Sequence, residues 1–137
     1  MISKILVGLD GSEYGEKAFE YACYLAKRCE SALLIVHVLE DFVTVGHSIL
    51  KELEEQDQVM LQKYKSRANQ SAMITPIDVI ECRGNNVAEE ILHIADKQNV
   101  DTIVLGSRGT KAPSDRLIGS VSYKISHYAK CTVIIVR

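Results

Sequence analysis

The chain has 137 residues, a formal net charge of −2, 25% charged residues and 6% aromatic residues. That length suits one domain, residues 1–137, with a sizeable buried core. The near-balanced charge and sparse rings exclude the basic, stacking surface that nucleic acid requires. Four cysteines, Cys23, Cys29, Cys82 and Cys131, show no CxxC spacing, so they read as free thiols in a reducing compartment rather than as a zinc site. The N-terminus shows no signal-peptide pattern, and no apolar run is long enough to span a bilayer. The expectation is a cytoplasmic protein without a membrane or nucleic-acid partner.

Strand and helix signals alternate along the chain. Ile5 to Leu9 is apolar on both faces, as in a central parallel strand. A turn at Asp10-Gly11-Ser12 precedes a helix whose stripe is Ala18, Ala22, Leu25, Ala26 and Cys29. Ala32 to Val38 is a second two-faced strand, broken only by His37, which reads as a hydrogen-bonded core histidine. A connection from Asp41 to Gly46 leads to a polar helix over 48–70. Its early acids, Glu52, Glu54, Glu55 and Asp57, and its later bases, Lys63, Lys65 and Arg67, suit the helix dipole and a solvated face. Pro76 starts a third strand, Ile77 to Cys82. Asn86, with Glu89 three residues on, caps a helix with a stripe of Ala88, Ile91, Leu92 and Ala95. Thr102 to Leu105 is a fourth strand, Val121, Ile125 and Tyr128 mark a last helix, and Thr132 to Val136 is a fifth strand. His47, His93 and His127 are scattered and read as exposed.

Five strands alternating with four helices predict an α/β fold, an open five-stranded parallel sheet with helices on both faces, Rossmann-like. Right-handed crossovers favour the strand order 3-2-1-4-5. Its switch point lies between strands one and four, where open α/β sheets bind ligands beyond the carboxyl ends.

The most informative spacing falls at that crevice. Gly106 and Gly109 follow the fourth strand, and nine residues later Gly119-Ser120 opens the last helix. Glycines there let a ligand approach the backbone, and unpaired helix-start N–H groups favour a phosphate. The bland alternative is a tight turn followed by a glycine helix start, with Ser120 capping nearby amides. On spacing alone the two readings stand level. Convergence with Leu9-Asp10-Gly11-Ser12 at the switch point favours the phosphate. Gly8 either admits a ligand or makes room for a packed helix, and Asp10 either caps the next helix or accepts hydrogen bonds from a nucleoside. Arg108, Lys111, Arg116 and Lys124 supply nearby positive charge.

The segments Ile5–Glu13, His37-Val38, Gly106–Gly109, Gly119–Ser122 and Cys131–Val136 resemble the universal stress protein family along essentially the whole chain. The G-x2-G-x9-G-[ST] pattern is that family's ATP-binding signature and is complete here. The resemblance implies a stress-response regulatory protein that binds ATP or AMP, with or without Mg2+, and supplies no side-chain metal ligand. It implies that Gly8, Leu9 and Asp10 flank the adenosine and that the Val38 backbone meets the adenine edge. It places Gly106, Arg108 and Gly109 on the ribose-phosphate side, and Gly119, Ser120, Val121 and Ser122 on the phosphates. One departure lies in residues 110–118, where Pro113 restricts the loop and makes AMP or ADP as suitable as ATP.

The resemblance also implies a homodimer, formed through the edge of strand 132–136, which lacks the charge, proline or bulge that discourages pairing, and an unidentified regulatory partner. The alternatives are a slow ATPase or nucleotidyl-transferring enzyme, and a dimeric interaction module with an unused pocket. Against an enzyme, the chain has no GxxxxGK[ST] sequence, and Asp115 is the only acid in the loop.

Overall fold

The structure, a computed structural model, describes residues 1–40, 46–71, 74–109 and 118–137. The elements run β1 (Lys4–Gly8), α1 (Glu13–Cys29), β2 (Ala32–Glu40), α2 (His47–Gln70), β3 (Ile77–Gly84), α3 (Val87–Lys97), β4 (Thr102–Gly106), α4 (Ser120–Tyr128) and β5 (Thr132–Val136). All strand pairs are parallel, in the order β3-β2-β1-β4-β5. This is the expected architecture.

Alternation along the buried strands sends side chains to two cores. Ile5, Val7, Leu9, Leu33, Ile35 and Val104 pack with Ala18, Phe19 and Ala22 of α1 and Leu61, Tyr64 and Ala68 of α2. Leu6, Leu34, Val36, Val38, Ile103 and Leu105 pack with Ala88, Ile91 and Ala95 of α3 and Ile125 of α4. The sheet is therefore covered on both faces, which explains its nearly continuous apolar strands. No helix of the described residues is long and apolar enough to cross a membrane.

Local signals account for the boundaries. The Ser12 hydroxyl accepts the Gly15 N–H at 3.1 Å and caps α1. Asn86 Oδ1 accepts the Glu89 N–H at 3.2 Å and caps α3, as its spacing predicts. Two strands outrun their sequence signals: β2 reaches Glu40 and β3 reaches Gly84 through an eight-pair ladder from Leu33–Ile77 to Glu40–Gly84. Glu81 and Arg83 are polar, yet an edge strand accommodates charge while its backbone still pairs.

The acids of α2 differ from the sequence reading. No acid lies in its first turn, so the dipole does not explain them. Nor are all of them simply solvated, since Glu54 pairs with Arg83 at 2.7 Å and Asp57 meets His37 at 2.9 Å.

The end of the sheet opposite the strand carboxyl tips is stitched by Asp101. Its carboxylate accepts the Ser3 N–H at 2.8 Å, the Ser3 hydroxyl at 2.6 Å, the Lys4 N–H at 3.1 Å and the Thr102 hydroxyl at 3.0 Å. Burial pushes this carboxyl's pKa up, but the hydrogen bonds from Ser3, Lys4 and Thr102 outweigh it and hold the group below its ordinary value. Because the folded pKa is depressed, the stabilisation is present above the unfolded value and lost as pH falls through the folded one. Asp101→Ala is expected to lower stability by about 2 kcal/mol at pH 7, with a smaller loss at pH 3, measured by urea denaturation. An equal loss at both pH values would contradict this.

Candidate functional site

The carboxyl tips of β1 and β4 part from one another. Their pairing ends at Val7–Val104. On the outer sides the ladders go on: β1 pairs with β2 through Gly8–Val36, with Leu9 N–H donating to Val36 at 2.9 Å, while β4 pairs with β5 through Gly106–Val136 and Ser107 N–H donates to Val136 at 2.7 Å. The space between the tips is the crevice that the strand order predicts.

The β1 side of the crevice is an Asx turn. Asp10 Oδ1 accepts the Ser12 N–H at 2.9 Å, and Gly11 between them has φ +82°, which suits glycine. Gly15 is buried in the first turn of α1, where an added Cβ would lie 3.1 Å from Asp10 Oδ1.

The β4 side is assembled from close approaches. A Cβ on Gly106 would come within 2.6 Å of the Tyr14 carbonyl carbon, so this glycine seats the start of α1 on the end of β4. A Cβ on Gly109 would lie 2.6 Å from Asp10 Oδ2, so the Asp10 carboxylate closes directly over Gly109. The Arg108 guanidinium lies 5.1 Å from the Tyr14 ring centroid, a cation–π distance.

Gly119 is tucked beneath this turn and donates its N–H to the Ser107 carbonyl. An added Cβ would stand 3.3 Å from Arg108 Cα and 3.5 Å from Gly109 N. Its φ of −73° is open to any residue, so space rather than conformation calls for glycine. Gly119 is the N-cap of α4 and makes no side-chain cap. The following N–H groups, of Ser120 and Val121, have no acceptor within their own helix. Ser122 is buried, and its hydroxyl donates to the Gly106 carbonyl at 2.6 Å, tying α4 to the tip of β4.

The structure thus brings together Asp10, Gly106, Arg108, Gly109, Gly119, Ser120 and Ser122, with Val121 one residue along α4. Gly8 faces elsewhere: an added Cβ would meet Leu105 Cδ2 at 2.8 Å and Ile91 Cδ1 at 3.3 Å, the room-making role for a packed helix. Leu9 is buried in the core beneath α1 and α2, and the Val38 side chain in the core beneath α3 and α4. The Val38 backbone is better placed. Even-numbered residues of β2 direct N–H and C=O toward β1, as Val36 does to Leu9, so those of Val38 lie on the flank beyond the β1 tip. Lys124 Nζ donates to Glu89 at 3.1 Å and so joins α4 to α3. Lys111, Arg116, Pro113 and Asp115, with the rest of residues 110–117, lie outside the described residues.

Helix α2 adds parts that sequence reasoning did not assign to the site. His37 is buried, as expected, with Nδ1 2.7 Å from the Leu9 carbonyl oxygen and Nε2 2.9 Å from Asp57 Oδ2. Glu16 of α1 accepts from Tyr64 at 2.7 Å and pairs with Arg67 at 2.6 Å. The Arg67 hydrogen bond holds Glu16 below the usual carboxylate value, and burial followed by the Glu16 bond pushes Tyr64 up to about 12. Gly15 within a helix was a visible sign that the start of α1 packs closely on Asp10, since a helical glycine often has a packing reason. Tyr14 and Asp57 carried no such sign.

Three comparisons with known proteins agree. The sequence model of the Universal stress protein family matches residues 1–137. The chain belongs to the universal stress protein family. It is 32% identical to universal stress protein YxiE of Bacillus subtilis, across all of both chains. Among solved structures, universal stress protein UspA from Lactobacillus plantarum superposes with a TM-score of 0.88 at 24% identity, covering 98% of this chain and 97% of that one. A universal stress protein in complex with cAMP has a TM-score of 0.77 at 22% identity, covering 98% and 97%. The Archaeoglobus fulgidus universal stress protein in complex with dAMP has a TM-score of 0.72 at 17% identity, covering 100% and 98%. At these identities the structural likeness establishes the shared fold.

The glycine geometry separates packing from access. Gly106→Ala is expected to lower stability by about 2 kcal/mol, because its Cβ meets unyielding backbone. Gly119→Ala, with contacts of 3.3 Å and beyond, is expected to lose less than about 1 kcal/mol. Urea denaturation of both variants checks the ranking, and the reverse order would contradict the packing described.

Proposed function

We propose that residues 1–137 form a single adenine-nucleotide-binding domain that acts as a cytoplasmic stress-response regulator. The observation that carries this reading is the meeting of Asp10, Gly109 and Gly119 where β1 and β4 part. Complexes of universal stress proteins with cAMP and dAMP support the ligand class.

In this reading the nucleoside lies between the Asp10 turn and the Val38 backbone, and Asp10 accepts hydrogen bonds from it. Gly106, Arg108 and Gly109 line the ribose-phosphate side, and the phosphates approach the Ser120 and Val121 amides, where the α4 dipole adds attraction. Arg108 supplies charge beside them. Ser122 braces the loop through Gly106 rather than offering its hydroxyl outward, while its amide stays near the phosphates. AMP, ADP and ATP all satisfy this arrangement, with any Mg2+ held on the phosphates. Bound nucleotide changes the surface offered to a regulatory partner.

The same proposal includes a homodimer through β5. Val133, Ile134, Ile135 and Val136 are only partly buried on this uncharged edge strand, and a second copy would cover them. Ile134→Lys is expected to shift the protein from dimer to monomer in sedimentation equilibrium. A wild-type monomer at high concentration would contradict the interface.

Denaturing freshly purified protein is expected to release AMP, ADP or ATP, identified by mass. Gly119→Val, whose methyls would crowd the Arg108–Gly109 turn, is expected to weaken ATP binding at least about tenfold, or about 1.4 kcal/mol, with its far-UV spectrum retained. Unchanged ATP affinity in that folded variant would overturn the site.

A further inference from the structure

His37 stands between two acceptors. Its Nδ1 is 2.7 Å from the Leu9 carbonyl oxygen and its Nε2 is 2.9 Å from Asp57 Oδ2. A carbonyl oxygen only accepts, and so does an ionised carboxylate. A neutral imidazole carries one N–H and satisfies only one of them. Both bonds form together only when the pair holds one more proton, whether on the ring or on Asp57.

The two bonds join three elements. Asp57 belongs to α2, His37 to β2, and the Leu9 carbonyl precedes Asp10, whose carboxylate lies over Gly109. From α2, Met60 also reaches the same turn, with its sulfur 3.5 Å from where a Cβ on Gly11 would sit. The surroundings are rich in acids. Glu81 is the register partner of His37 on β3, Glu54 of α2 pairs with Arg83 of β3, and Asp10 follows Leu9. From α1, Glu16 is held by Arg67 and Tyr64 of α2. Burial, and then the Asp57 carboxylate, push the Glu81 carboxyl up from its ordinary value, with His37 opposing.

We propose that His37 and Asp57 form a proton-dependent tether that positions the Asp10 turn, so that nucleotide affinity falls when the pair loses its extra proton. On loss of that proton the remaining N–H goes to the stronger, charged acceptor, Asp57. The Leu9 carbonyl then faces a nitrogen lone pair and is released, and the Asp10–Ser12 turn loosens over Gly109. Histidine exchanges protons near physiological pH, so the tether would let the protein read cellular acidification. Only the final step, the change in affinity, rests on the nucleotide reading above.

Asp57→Asn separates proton from geometry. Its amide N–H donates permanently to Nε2 of a neutral imidazole, while Nδ1–H keeps the Leu9 carbonyl. ATP affinity would be measured for wild type and Asp57→Asn at pH 6 and pH 8, and their ratio cancels the ligand's own protonation. Wild type is expected to lose about fivefold relative to the variant across that interval, at the low end of typical coupling. A constant ratio would overturn the linkage.

His37→Asn, which retains a donor toward Leu9 but does not titrate, is expected to keep a constant affinity ratio to Asp57→Asn between pH 6 and pH 8. In nucleotide-free protein, the Asp10, Gly11 and Ser12 amide resonances are expected to follow the ring titration of His37 in wild type but to stay fixed in Asp57→Asn. Amides that ignore the ring would overturn the tether. Amides that follow it, in a protein that binds no ATP at either pH, would contradict the nucleotide reading alone.

Discussion

The parting of β1 and β4 is the constraint on which the rest of the structure depends. Parallel strands need crossover connections, and a chain that winds outward one way and then returns leaves two neighbouring strands whose following helices lie on opposite faces. Here α1 leaves β1 toward one face and α4 leaves β4 toward the other. The two tips cannot both be covered by one helix. The gap between them is therefore a product of topology before any side chain is chosen, and the glycines then determine how closely its walls approach.

Those walls are held by packing on one side and polar contacts on the other. Gly106 admits the Tyr14 backbone, and Ser122 ties α4 to the Gly106 carbonyl. Together they fix where the α4 N-terminus begins, and hence where its unpaired amides lie. Asp10, restrained by its own Asx turn and by Gly15 behind it, supplies the opposing acid. The β1 tip is held by the Leu9–Val36 ladder bond, the burial of Leu9, the His37 contact with the Leu9 carbonyl and the Asp10 turn.

The strand order and the crevice were legible from alternating patterns and handedness, because apolar runs such as Thr102–Leu105 and stripes such as Ala88–Ile91–Ala95 carry their burial openly. Asn86 announced its helix through local hydrogen-bond chemistry, whereas for α1 the sequence offered Asp10 as the cap and the structure uses Ser12. What stayed hidden was tertiary. Nothing local shows that Gly8 serves Ile91 and Leu105 across the sheet, or that Asp57 on a polar helix finds His37. The charged run of α2 looked like an ordinary solvated face because pairing partners on β2 and β3 are distant in sequence. Strand ends beyond Val38 and Cys82 were missed for the same reason: a ladder already formed carries polar residues that have no strand signal of their own.

Binding at this crevice can be located directly by following backbone amide resonances while AMP is added to the protein. Shifts are expected to concentrate at Asp10, Gly11, Gly109, Gly119 and Ser120, and to leave the Asp101 stitch at the far end of the sheet unmoved. A different cleft exists at that far end, lined by residues including Leu92, Val100, Ala129 and Cys131. Shifts confined there, with the Gly109 and Ser120 amides silent, would contradict binding between the β1 and β4 tips.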